Sequence, residues 1–327
     1  MDRRPELLDF TFASADGAST LHGRAAWPAG MGLAADAGTP ASALPRPRGV
    51  VQVVHGMAEH VERYDELALW LAERGWLVCA HDQIGHGRSA DPSRWGSIPS
   101  RGGKEALLED VDRLRAATAA RIAPNTPYFL LGHSFGSFVV RAYAARRGAG
   151  LAGVVVSGTG YVPPVASAAG RALALAVCRL RGDECRSELL HSMADGAYAK
   201  AVEGAESGFE WLSYDEGNVA SYIADPACGF MFSAGGYATL CDLTLETCGQ
   251  ACADRVPKSL PLLFVSGADD PVGGCGKGVA KACQLARRAG STDVSLRLYP
   301  GMRHEILKED GRRLVYHELL DWLEARS

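Results

Sequence analysis

From Gly49 onward the chain alternates short runs of β-branched and apolar residues with longer segments of helical period, and this alternation limits the fold more than any other feature of the sequence. The apolar runs are Gly49 to His55, Leu77 to Asp82, Tyr128 to Leu131, Gly153 to Ser157, Leu260 to Gly267 and Val294 to Tyr299. Helical periodicity marks Tyr64 to Arg74, Lys104 to Ala123, Ser137 to Arg147, Lys277 to Ala289 and Arg313 to Ala325. A strand that is apolar at nearly every position must be covered on both faces, and the intervening helices are what cover it. The pattern therefore predicts an α/β fold: a mostly parallel sheet with helices on both sides. Ahead of it, Leu8 to Ser14 and Ser19 to Trp27 flank Asp16-Gly17, a tight-turn pair, which predicts an opening hairpin. Ala29 to Arg48, rich in Ala, Gly and Pro and following neither period, reads as a long surface loop without chemistry.

The alternation breaks once. Tyr161 to about Val256 holds helical patches, aromatic residues, glycines and cysteines but no convincing buried strand, which predicts an inserted cap at 161–256 between core portions at 1–160 and 257–327. A chain of 327 residues with 47% hydrophobic and 22% charged residues has enough apolar material for a large core carrying such an insertion. No internal repeat points to a solenoid. The 34 basic against 38 acidic residues leave a formal charge of −4, so no overall positive field recommends nucleic acid as a partner. Val162 to Cys178, the most apolar long stretch, is interrupted by Pro163, Pro164, Gly170 and Arg171, which argues against a membrane span. Pro5, Glu6 and Asp9 stand where a signal peptide would carry its apolar run. Nine scattered cysteines fit a reducing compartment, so the expected location is cytoplasmic.

Chemistry concentrates around Gly132-His133-Ser134-Phe135-Gly136, which sits between the apolar run Tyr128 to Leu131 and the helical segment Ser137 to Arg147. In that context the motif describes a nucleophile elbow, a strained strand-to-helix turn that projects Ser134. A serine hydroxyl needs a base to take its proton and an acid to hold that base, in the chain order Ser, acid, His. After Ser134 come His191, within the insertion, His317, within the last amphipathic helix, and His304, on the loop after Val294 to Tyr299. The loop position favours His304 as the mobile base. Asp269 and Asp270 compete for the acid after Leu260 to Gly267; the proline after Asp270 biases it to an extended conformation, but spacing alone does not decide between them. The backbone amides of Phe135, after the nucleophile, and Met57, in the turn His55-Gly56-Met57-Ala58, are the expected oxyanion donors. His55 and His133 read as structural histidines, with His133 turned away from the serine.

Other motifs recommend no cofactor and no metal. Cys248 and Cys252, with Cys241 nearby, lack a second ligand pair and read as packing thiols. The glycines around His86 lack the Gly-Lys-Ser/Thr ending of a phosphate loop.

His55-Gly56-Met57-Ala58-Glu59-His60, Gly132-His133-Ser134-Phe135-Gly136, Asp270-Pro271-Val272-Gly273 and Gly301-Met302-Arg303-His304-Glu305 together resemble the lysophospholipases and monoacylglycerol lipases of the α/β-hydrolase family, serine aminopeptidase-like hydrolases. Trp211-Leu212-Ser213, Asp225-Pro226 and Cys228-Gly229-Phe230 resemble that family's cap. The resemblance covers nearly the whole chain. It implies Ser134, Asp270 and His304 as the triad, Met57 and Phe135 as oxyanion donors, and Glu59 and Arg63 as residues that help to hold a glyceryl head; the alternative for the last two is a solvated start to the following helix. It implies a serine hydrolase acting on carboxylic esters, with monoacyl lipids as the substrate class. Small esters and amides or peptides are the rival substrates, and a non-catalytic binding protein is the rival class. Ala166 to Val177 is the expected apolar lining of an acyl pocket, with transient membrane-surface contact as its other use.

Overall fold

A computed structural model of the protein describes residues 4–31, 39, 41–194 and 196–327. Most of the predicted loop Ala29 to Arg48 is described, but residues 32–38 and 40 lie outside that set. Eight strands form one sheet: β1 (Glu6–Ala13), β2 (Thr20–Trp27), β3 (Val50–Val54), β4 (Leu77–His81), β5 (Tyr128–His133), β6 (Gly153–Ser157), β7 (Leu262–Gly267) and β8 (Val294–Tyr299). Their spatial order is β1-β2-β4-β3-β5-β6-β7-β8, with β1 and β2 antiparallel to their neighbours and the remaining pairs parallel. The predicted hairpin and strands from all six predicted runs are present, but β8, at the sheet edge, is largely half-buried or exposed instead of covered on both faces.

Alternation of side chains along each strand divides the core into two layers. Val51, Val53, Phe129 and Leu131 face the helices Asp65–Ala72 and Arg312–Glu324, while Val50, Val54, Tyr128 and Leu130 face Gly103–Ala119, Phe135–Arg147 and Lys277–Arg288. The central strands β3, β4, β5, β6 and β7 are buried at every position, which is why they read as continuous apolar runs. β3 lies between β4 and β5 although β4 follows it in sequence, so the chain leaves β3 for one side of the sheet and returns to the other. Such a reversal opens a crevice at the carboxyl ends of the strands, and the turns after β3 and β5 both end there.

Two boundaries differ from expectation for local reasons. β5 continues through Gly132 and His133, which pair with Val54 and Ser157, and its helix begins at once at Phe135. β7 starts at Leu262, because Pro261 before it has no N–H to give and contributes only its carbonyl, to Val154 N. Between β6 and β7 the described residues form the helices Pro164–Arg181, Glu188–Ala194, Gly196–Ala199, Glu216–Ala224, Ala234–Thr247 and Gln250–Arg255 and add no strand to the sheet. No described helix is long and apolar enough to cross a membrane.

Candidate active site

Ser134 occupies a turn that the sequence can form only with glycine on both sides. Its φ of 51° and ψ of −117° are strained for a residue bearing a Cβ, and the strain is imposed by packing. A Cβ on Gly132 would lie 2.4 Å from the Gly136 carbonyl oxygen, and one on Gly136 would lie 2.0 Å from that of Val54. The helix Phe135–Arg147 therefore starts pressed against the ends of β5 and β3, and Ser134 stands at its amino-terminal end, where the helix dipole is positive. The Ser134 backbone is pinned further: its N–H donates to the Ser157 carbonyl at 2.9 Å, and its own carbonyl accepts from Ser137 Oγ at 2.5 Å.

His304 and Asp270 come from the loops after β8 and β7. His304 Nδ1 donates to Asp270 Oδ2 at 3.0 Å, and both side chains are buried. Asp270 also accepts from Ser266 Oγ and from the Val272 amide, each at 2.9 Å, while Asp269 is exposed and accepts from Tyr214 Oη at 3.3 Å. Of the two candidate acids, Asp270 is the one hydrogen-bonded to His304. Burial pushes the His304 imidazole down, but the Asp270 carboxylate outweighs it and leaves the ring above its ordinary value; in turn, burial raises Asp270 and the charge of His304 holds it below the usual carboxylate range.

Ser134, His304, Met57, Phe135 and Glu59 line one cavity of about 300 Å³ that lies between the sheet's carboxyl edge and the segment from His191 to Leu240. Phe138, Phe209, Phe230, Leu240 and Val272 give it an apolar wall. The helix expected to line it does not: no residue of Pro164–Arg181 reaches the cavity. Its small face is spent on the helix Ala234–Thr247, where Ser167 Oγ lies 3.0 Å from Thr244 Oγ1 and a Cβ on Gly170 would come 3.0 Å from Cys241 Sγ. The periodicity of that helix identified an apolar face but not its partner, and the lining comes instead from Leu240 on the neighbouring helix and from the aromatic turns.

The turn after β3 is held by groups that the sequence reading underrated. Glu59 Oε1 accepts from the Gly56 amide at 2.5 Å and from Tyr64 Oη at 2.8 Å, and Oε2 accepts from Arg63 Nε at 3.2 Å. Burial would raise the Glu59 carboxyl, but the charges of His133, Arg63 and His55 hold it down at about 2. Neither Glu59 nor Arg63 is a solvated helix start; both are buried. Arg63 does not reach the cavity wall, because its guanidinium is clamped by both oxygens of Glu305, at 2.7 and 2.8 Å, contacts Asn218 at 3.3 Å and lies 4.8 Å from the Tyr222 ring. Glu305 itself lines the cavity. On the other side of the turn, His86 Nδ1 donates to the Ile84 carbonyl at 2.9 Å and Nε2 accepts from the Ala58 amide at 3.3 Å, an arrangement of neutral imidazole consistent with burial pushing His86 down to about 3. His86 is thus a brace for the turn. His55 is hydrogen-bonded as expected, accepting from the Gln83 amide at 2.9 Å.

His133 departs from expectation. Its ring centroid lies 4.7 Å from that of His304, and it lines the cavity beside the serine, with Nδ1 3.3 Å from Ser157 Oγ. Burial and the neighbouring His304 push it down to about 4, so it is neutral near pH 7. Trp211 covers His304 with its ring centroid 5.2 Å away. All nine cysteines are free thiols, and Cys248 and Cys252 are buried as packing residues.

Residues 45–311 match the family model described as serine aminopeptidase, S33. The chain belongs to this family. It is 32% identical over 284 residues to the monoacylglycerol lipase of Mycolicibacterium smegmatis, covering 85% of this chain and 88% of that protein, and 28% identical to the monoglyceride lipase of Homo sapiens, covering 86% and 84%. Its fold is similar to that of a carboxyl esterase from Bacillus coagulans solved in complex with glycerol, with a TM-score of 0.87, 28% identity and 98% of each chain covered. The protein is an enzyme of the α/β-hydrolase fold, a carboxylic ester hydrolase.

Proposed function

We propose that the protein hydrolyses monoacylglycerols through a Ser134–His304–Asp270 triad and an acyl-enzyme intermediate. The observation that carries this reading is that Ser134, raised on its strained elbow, and His304, hydrogen-bonded to Asp270, line the same apolar cavity as Met57 and Phe135. Among the described residues the backbone N–H groups of Met57 and Phe135 have no hydrogen-bond acceptor, which leaves them free for an oxyanion. In the first step His304 Nε2 takes the Ser134 Oγ proton as the oxygen attacks the ester carbonyl; the carbonyl oxygen becomes an oxyanion received by the two amides. His304 then returns the proton to the departing glyceryl oxygen, and the acyl–Oγ bond remains. Water, deprotonated by the same ring, repeats the attack; Oγ leaves with the proton and the fatty acid is released. Asp270 keeps the imidazole in the tautomer that presents Nε2 and stabilises the charged ring.

The head group follows from charge. Glu59 and Glu305 both line the cavity, and the single guanidinium between them, Arg63, is already bonded to both. Two carboxylates around one saturated cation leave acceptors for the hydroxyls of a neutral glyceryl head and repel the phosphate of a lysophospholipid. The Phe138, Phe230 and Leu240 wall suits the acyl chain, and residues 161–256 act as the cap that supplies Phe230 and Leu240 to it. The test is steady-state turnover of a monoacylglycerol and a lysophosphatidylcholine with the same acyl chain, beside a short soluble ester. The monoacylglycerol is expected to have the highest kcat/KM. A preference for the lysophospholipid contradicts the head-group reading, and a short ester turned over best marks the protein as a small-ester esterase.

A further inference from the structure

We propose that His60, Asp225 and Cys228 form a binding site for a single zinc-type divalent cation, tying the helices between β6 and β7 to the turn after β3. One donor atom from each of the three side chains lies within 4.8 Å of the other two. They come from two distant segments. His60 follows the turn that carries Met57, and Asp225 and Cys228 belong to the tight turn that ends the helix Glu216–Ala224. That turn is preorganised: the Cys228 amide donates to the Asp225 carbonyl at 3.0 Å and the Ala227 amide to Asp225 Oδ1 at 2.9 Å, which leaves Oδ2 facing His60 Nε2 at 2.8 Å.

The donor set selects the ion. A thiol, an imidazole and a carboxylate suit zinc and its analogue cobalt, whereas calcium and magnesium take oxygen ligands. Three protein ligands leave one tetrahedral position for water. With metal–sulfur and metal–nitrogen bonds of about 2.3 and 2.0 Å, the donors must close up by roughly an ångström. Asp225 is about one-third exposed, which gives the ion a route in. On binding, Cys228 loses its Sγ proton to solvent, the His60 proton sits on Nδ1 so that the Nε2 lone pair faces the metal, and Asp225 exchanges its contact with His60 for the metal; no electron is transferred.

The site sits beside the oxyanion turn. Gly229, next to Cys228, donates its amide to the Ala58 carbonyl at 3.0 Å, and Tyr222 Oη donates to the same oxygen at 2.9 Å. An ion here adds a coordinate clamp to these two hydrogen bonds, so it is expected to stabilise the native protein by mass action.

Titrating cobalt(II) into the reduced full-length protein tests the site directly. One equivalent is expected to produce a thiolate-to-cobalt charge-transfer band in the near ultraviolet, bleached by zinc, and to raise Tm. Cys228→Ser should abolish the band, His60→Ala should weaken cobalt binding at least about tenfold, and Cys252→Ser, which alters a buried thiol elsewhere, should change neither. The wild-type spectrum alone can overturn the proposal, because no charge-transfer band at saturating cobalt means that no thiolate ligates. A band that survives in folded Cys228→Ser, or unchanged cobalt affinity in His60→Ala, also contradicts it.

Discussion

Asp270 and His304 show how a buried pair sets a working pH. The imidazole must be neutral to accept the Ser134 proton, and the carboxylate beside it keeps the ring protonated to a higher pH than its ordinary 6.5. The acid limb of kcat/KM is therefore predicted to have its midpoint above 6.5, with activity rising as pH climbs through it. Asp270→Asn removes the main opposing charge, so the midpoint should move to lower pH while kcat falls roughly 10⁴-fold. A pH–rate profile of both proteins checks the sign; an unmoved midpoint contradicts the pairing. As candidates, Ser134 on its glycine-flanked turn and His304 on the loop after the last strand were legible from local pattern, whereas the Asp-Pro step favoured Asp270 without fixing it. The resemblance, not spacing, separates Asp270 from Asp269 in the sequence. Tyr64, His86, His133 and Glu305 were not legible as site residues, because their roles arise from contacts between segments far apart in the chain, such as the clamp of Glu305 on Arg63.

The packing of the elbow helix against β3 can be tested by one substitution and a control. Gly136→Ala drives a methyl into the Val54 carbonyl across a 2.0 Å gap that backbone on both sides cannot widen, so a loss of at least about 3 kcal/mol is expected in a denaturation series. Gly102→Ala provides the contrast: nothing lies within 4 Å of its Cβ, and only the left-handed backbone at φ 75° opposes it. It should cost roughly 1 kcal/mol. Equal costs at the two positions would mean that the helix is not pressed against β3. On the cavity wall, Leu240→Trp fills volume, so it should lower turnover of long-chain monoacylglycerols more than tenfold while sparing short esters; an unchanged chain-length profile would place the acyl chain elsewhere. The element order along the chain was readable from periodicity, but the wall of the cavity was not. A helix's apolar face states that it packs, and only the tertiary arrangement states against what: Pro164–Arg181 packs on Ala234–Thr247 and leaves the lining to others.

Across the whole molecule, the buried carboxylates make stability depend on pH in a predictable sense. Glu59 and Asp82 are both held at about 2, below their ordinary values of 4.5 and 3.8, despite burial pushing them up; charged and hydrogen-bonded neighbours, His133 and Arg63 for Glu59 and His22 for Asp82, do this. A group depressed in the folded state binds more protons when unfolded, so its stabilisation is complete above the unfolded value and is lost as pH falls toward the folded one. Tm should therefore decline between about pH 4.5 and 2, with a shallower decline in Glu59→Gln, whose starting Tm is lower because the Gly56 and Tyr64 contacts weaken. Identical slopes in the two proteins would contradict this assignment. The central claim, that Ser134 is an activated nucleophile in a cavity shaped for a monoacyl ester, is tested most directly by fluorophosphonate labelling with mass-spectrometric mapping of the adduct, in the presence of graded monoacylglycerols. The prediction is a single adduct on Ser134, absent from Ser134→Ala and suppressed by monoacylglycerol. A folded wild-type protein that takes no label, or one that is labelled equally after Ser134→Ala, would contradict it.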